Sequence, residues 1–259
     1  MFKISRLLWV FAAILSMVLT VLIFLPASWL ALLVEKQTMG RISLGDAQGS
    51  FWRGSAFIGG APNGNAPLTP LLPGRFTWRI SPTILLGQLD INLDNPTSLS
   101  QAIKLEGNLG QWSVSGSSLI VPPERLEGLG APLNTIGPSG QLRLSWNSLQ
   151  FIRQGVKLDI IGAMRLEMNE MASRLSPIKP LGSYLLTMDW KGSTANITLT
   201  SIKGPMLLSG AGNLHDGHMQ FSGRAMAEAG QEDRLANLLN LLGQRRRDGN
   251  KDVIALEFK

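Results

Sequence analysis

The chain has 259 residues, a net charge of +6, only 16% charged side chains and no cysteine. That length holds one large or two small domains with a real core, and the absence of cysteine excludes a disulfide framework and thiolate chemistry. The positive charge is sparse and dispersed, and no helix-turn-helix, finger or RNA-binding signature accompanies it, so nucleic acid is excluded as the expected partner.

The first element is apolar. After Lys3 and Arg6, no formal charge occurs from Leu7 to Val34, a run longer than the roughly 20 residues a helix needs to cross about 30 Å of hydrocarbon. The Leu, Ile, Val and Phe side chains between Leu7 and Leu25 outweigh the mild cost of Ser16 and Thr20, so insertion is favoured. At about 1.5 Å per residue, Trp9 and Trp29 fall about 30 Å apart, one at each interface where indoles prefer to sit. Pro26 lies near the outer edge, where water can replace its lost hydrogen bond. Residues 1–36 therefore read as a cytoplasmic tip and a transmembrane anchor marked by Leu7, Trp9, Leu25 and Trp29, and residues 37–259 as an exported β-rich domain. A cleaved signal peptide is the rival reading. The apolar run exceeds the usual h-region of about 7–15 residues, and no A-x-A-like site follows it. Lys36 and Arg41 partly balance the N-terminal charge, but long domains translocate largely regardless of charge, which favours N-in, C-out.

Beyond the anchor, the apolar period changes to two. Predicted strands run from Gly74 to Ile80, Gly87 to Asp94, Ala102 to Asn108, Gln111 to Val121, Gly140 to Trp146, Val156 to Met168, Ser183 to Trp190, Asn196 to Ile202, Met206 to Leu214 and Met219 to Ala227. Several place alternate apolar residues on one face, as in Phe76, Trp78 and Ile80, or Tyr184, Leu186, Met188 and Trp190. Alternation between Gly, Pro, Asn and Ser boundaries predicts antiparallel strands with one buried face. Three strands start at glycine and end at Trp78, Trp146 or Trp190, a pattern that generic β composition also produces. Asp216-Gly217 is a two-residue hairpin signal that makes His215 and His218 cross-strand neighbours.

Two stretches rich in proline and glycine, Gly59 to Gly74 and Pro122 to Gly140, read as long surface loops. Leu235, Leu238, Leu239 and Leu242 recur at helical spacing before Gly243, which predicts a short amphipathic helix packed on the sheet. Arg245, Arg246 and Arg247 follow as a solvated helix end or turn. Ile254, Leu256 and Phe258 alternate like a final strand. The fold class is mainly β: an antiparallel sheet domain with a short C-terminal amphipathic helix, preceded by one transmembrane helix.

Reaction chemistry is hard to find. A metal across His215 and His218 lacks a third ligand apart from Asp216 in the turn itself. No G-x-S-x-G elbow, P-loop or G-x-G-x-x-G fingerprint occurs. Asp90 and Asp94 share a strand face, but Asp94-Asn95-Pro96 reads more simply as a turn. Met164, Met168 and Met171 are core or loop packing. No catalytic, metal or cofactor site is predicted.

The layout and several local runs resemble protein N of the bacterial type II secretion system. The runs are Gly49-Ser-Phe-Trp-Arg-Gly54, Leu181-Gly-Ser-Tyr184, Gly204-Pro-Met-Leu-Leu-Ser-Gly210-Ala-Gly-Asn-Leu and Phe221-Ser-Gly223-Arg-Ala, followed by the leucine helix. The resemblance implies a non-catalytic component of the cell inner membrane. Its periplasmic domain would assist assembly or stability by contacting the outer-membrane secretin or the inner-membrane platform. It carries no catalytic residues across. Trp52, Gly54, Gly204, Pro205, Gly210 and Gly223 stand as structural motif positions, with Trp52 a packed indole and Gly54 a tight backbone approach. A different class remains open: a membrane-tethered β-groove carrying lipid or other apolar cargo across the envelope.

Overall fold

The computed structural model describes residues 2–60, 69–130, 133–155, 157–215, 217–248 and 251–258, with side chains described from Trp9 and, beyond Asn240, at Gly243, Ile254 and Ala255. Helix α1 covers Phe2–Ile23 and helix α2 covers Ser28–Gln37. The apolar run is thus two helices rather than one. Pro26 has no amide to continue the ladder and biases Leu25 away from helical backbone, and Pro26 instead forms a bridge with Ser50. Trp9 therefore stands on α1 and Trp29 on α2. Leu7 lies outside the described side chains. Among the described residues, no helix is long and apolar enough to cross a membrane.

The strands in chain order are β1 (Ile42–Gly49), β2 (Arg53–Gly60), β3 (Thr69–Pro70), β4 (Phe76–Ile80), β5 (Gln88–Asp94), β6 (Ile103–Asn108), β7 (Gln111–Val114) and β8 (Ser117–Val121). After a one-turn helix, α3 (Leu133–Ile136), come β9 (Pro138–Trp146), β10 (Leu149–Gln154), β11 (Lys157–Ser173), β12 (Gly182–Gly192), β13 (Thr194–Lys203), β14 (Met206–His215) and β15 (His218–Ala227). Helix α4 (Glu232–Leu242), β16 (Gln244–Asp248) and β17 (Lys251–Phe258) follow. All the strands belong to one antiparallel sheet, and nearly every strand pairs with its neighbour in sequence. Strands β7 and β8 are two halves of one path, facing β10 and β9 in turn, and the long β11 spans both of those. The order inverts once: β17 sits between β15 and β16.

Register puts one apolar face along the whole sheet. Trp78 opposes Leu93, Leu93 opposes Ile103, Leu166 opposes Leu144 and Leu186, and Leu186 opposes Leu199. Three clusters cover this face. At the first, Ala27 just before α2, Leu30 on α2 and Ile84 of the 3-10 turn Pro82–Leu86 pack on Ala56, Trp78 and Ile80. In the middle, Leu71, Leu72 and Leu129 lie on Phe76, Leu99 and Ile103. At the last, Leu235, Leu238 and Leu239 of α4 pack on Tyr184, Ile197, Leu199 and Phe221. The leucine helix thus covers the sheet as its spacing predicts, while the side chain of Leu242 lies outside the described residues.

Several expectations change. The stretch Pro122 to Gly140 is not loop throughout but holds a 3-10 turn, Pro123–Leu129, helix α3 and the start of β9. Gly59 and Gly60 end β2 and pair with β3 across residues outside the described set. Arg245, Arg246 and Arg247 are not a helix end or turn: they lie in β16, paired with Ile254, Val253 and Asp252. Charged residues on an edge strand are a common way to discourage further pairing.

Candidate functional site

The run from Gly49 to Gly54 is the joint between the N-terminal helices and the sheet. Gly49 turns the chain out of β1 with φ +87°, a conformation open to glycine, and Arg53 begins β2. The intervening residues grip the helices. The Trp52 indole N–H donates to the Leu22 carbonyl at 2.6 Å, the Phe51 amide to the Leu25 carbonyl at 2.7 Å, and the Ala27 amide to the Gly49 carbonyl at 3.1 Å. The Phe51 and Trp52 rings meet edge to face, 5.3 Å apart. Trp78 donates from its indole to the Phe51 carbonyl at 3.0 Å, and Ile80 donates its amide to the Trp52 carbonyl at 2.7 Å. Gly54 is required by contact: a Cβ there would fall 2.5 Å from Cζ2 of Trp78. Trp52 and Gly54, read from sequence as a packed indole and a tight approach, are brought together here. Trp78 and the helix carbonyls complete the joint. Backbone carbonyls carry no sequence signal, which is why the joint is invisible before folding.

The C-terminal runs form a second joint. Leu181 receives the Met206 amide at 2.9 Å, and the Tyr184 hydroxyl donates to the Met206 carbonyl at 3.0 Å. Gly204 approaches Gly182 so closely that a Cβ would strike its Cα, and Pro205 accepts the Glu228 amide at 2.7 Å. Gly210 and Gly223 are cross-strand partners whose missing side chains make room for the Phe221 ring. Leu181, Tyr184, Met206 and Phe221 of these runs are therefore buried in the core cluster that α4 covers, while His215, His218, Met219 and Gln220 are exposed.

The polar face offers little reaction chemistry. Arg75 pairs with Asp46 at 2.7 Å, donates from Nε to Ser55 at 2.8 Å and lies 4.8 Å above the centre of the Phe57 ring. The Arg75 hydrogen bond, helped by Gln48, holds the Asp46 carboxyl below its usual range. Asp46 sits at a bulge between β1 and β2 with φ +49°, so the cluster braces a bent strand. His215 and His218 are direct cross-strand partners, as the hairpin signal predicts, and Asp216 lies outside the described residues. Asp90 and Asp94 share β5. Among the described residues, no group of three or more His, Cys, Asp or Glu could hold a metal ion.

An antiparallel meander with a covered apolar face, joined at one end to a helix pair, defines a single-sheet β domain. The family model for the type II secretion system (T2SS), protein N, matches residues 40–253. The chain belongs to that family, whose members are components of the secretion machinery. No curated protein and no solved structure matches it.

Proposed function

We propose that this chain is a non-catalytic, single-pass component of the cell inner membrane whose periplasmic β domain assists assembly or stability of the type II secretion machinery. The observation that carries the reading is the family match over residues 40–253. It is supported by a sheet whose apolar face is packed by its own elements, leaving a polar face for partners such as the secretin or the inner-membrane platform. The anchor draws on the uncharged run from Leu7 to Val34 and on the exposed apolar side chains of α1, among them Trp9, Phe11 and Met17. Leu235, Leu238 and Leu239 fill the inner face under α4, which weighs against an open groove for apolar cargo there.

Deleting the gene is expected to trap folded exoproteins in the envelope. A photo-crosslinker at exposed Arg143 on the polar face or Asn237 on α4 is expected to capture a secretion component in cells. Normal secretion together with no such crosslink would overturn the reading.

A further inference from the structure

The hairpin turns alternate between two ends of the sheet, and at the end joined to α1 the two turns nearest the helices are apolar, whereas those farther along are flanked by polar residues such as Lys157, Lys191 and His215. Arg53 opposes Arg79, Ile80 opposes Ile91 and Gln88 opposes Asn108, so the 3-10 turn Pro82–Leu86 and the Leu109-Gly110 turn both lie at that end. Ile84 points into the first core cluster, whereas Leu85 and Leu86 are 60% and 83% exposed. Leu109, whose amide bonds the Gly87 carbonyl at 3.1 Å, is 55% exposed beside them. On α2, Leu30 packs inward while Trp29, Leu32 and Leu33 form an exposed stripe at i, i+3 and i+4. Water-facing turns favour Gly, Asn, Asp and Pro rather than leucine pairs.

Continuity identifies what covers this patch. From Trp9 to Val21, α1 exposes its apolar side chains on every side, as a helix does in hydrocarbon. The bonds from Trp52 to Leu22 and from Phe51 to Leu25 fix its end to the same joint that carries Ile80 and the 3-10 turn. Charge agrees. Arg53 and Arg79 are exposed cross-strand partners that ion-pair with no described residue. Like charges placed opposite each other are unfavourable unless an anion lies between or beside them, and anionic headgroups attract such residues at the membrane surface.

We infer that the corner of the sheet beside the helices rests on the bilayer, with Leu85, Leu86, Leu109 and the Trp29–Leu32–Leu33 stripe in the headgroup boundary and Arg53 and Arg79 on lipid phosphates. The inference rests on the membrane-anchored reading and adds a second contact that fixes the domain's orientation.

The absence of cysteine permits a direct test with the full chain. Single variants Leu86→Cys, Leu109→Cys, Val18→Cys and Glu228→Cys would carry an environment-sensitive fluorophore in nanodiscs of phosphatidylglycerol and phosphatidylcholine containing nitroxide-labelled lipid. Loss of most of the fluorescence at positions 86 and 109, with position 228 at the opposite end unquenched, is expected. Quenching at position 18 without quenching at 86 and 109 would overturn the docking and leave the anchor standing. Quenching at 86 and 109 without quenching at 18 would uphold the docking and remove the anchor. Quenching at none of these positions would remove both. Arg53→Gln with Arg79→Gln is expected to weaken quenching at position 86 in discs containing phosphatidylglycerol but not in discs of phosphatidylcholine alone. An equal response in both would overturn the role given to lipid phosphate.

Discussion

Tyr184 is the chain's single tyrosine, 2% exposed, with its hydroxyl bonded to the Met206 carbonyl. Burial pushes that hydroxyl well above its ordinary value of 10.0. The folded state therefore keeps a proton that the unfolded chain releases above about pH 10. The contribution is fully present below that pH and is lost as pH rises toward the folded value, at no more than about 1.4 kcal/mol per pH unit. Tyr184→Phe is expected to remove this alkaline loss and to cost about 0.5–1.5 kcal/mol at neutral pH for the missing hydrogen bond. Denaturant titrations at neutral and alkaline pH would measure both effects. Phenolate absorbance would report the titration of this one side chain directly. A wild-type alkaline loss unchanged in the variant would show that another group causes it.

Helix α4 is the element on which the C-terminal third depends. Leu235 is completely buried against the sheet, and Leu235→Ala is expected to cost about 2–5 kcal/mol, read as a lower denaturant midpoint. A change within a few tenths of a kcal/mol would mean that α4 does not hold the sheet. This helix was legible because its leucines recur at helical spacing, and β4, β5, β6 and β12 to β15 because theirs alternate between turn residues. Strands β1 and β2 gave no such signal: Gly45, Asp46 and Gly49, then Gly54, Gly59 and Gly60, dilute the apolar pattern, and tertiary pairing decides their state. Strand β16 is hidden by its three consecutive arginines, which carry no apolar alternation. In the joint, Trp52 and Gly54 are legible as residue types, but the Leu22 carbonyl that the Trp52 indole meets and the Leu25 carbonyl that the Phe51 amide meets are not.

At the scale of the whole molecule, pairing between near neighbours makes the sheet almost one-dimensional, with stability spread over three separate clusters. Such a molecule is expected to open in parts. Amide hydrogen exchange on Leu235→Ala should therefore quicken in β13 to β15 and leave β4 to β6 protected. Equal quickening in both regions would mean that the sheet unfolds as one unit.

The single inversion of strand order has a consequence for how this sheet is completed. From β1 to β15, nearly every strand meets a neighbour that precedes it closely in the chain, so a polypeptide appearing N-terminus first can zip up hairpin by hairpin. Residues Gln244–Asp248 break that rhythm, since their partner, Lys251–Phe258, comes after them and must also lie along β15. The last strand is a keystone: until it slides between the two, β15 keeps a bare edge and the arginine strand has nowhere to bind.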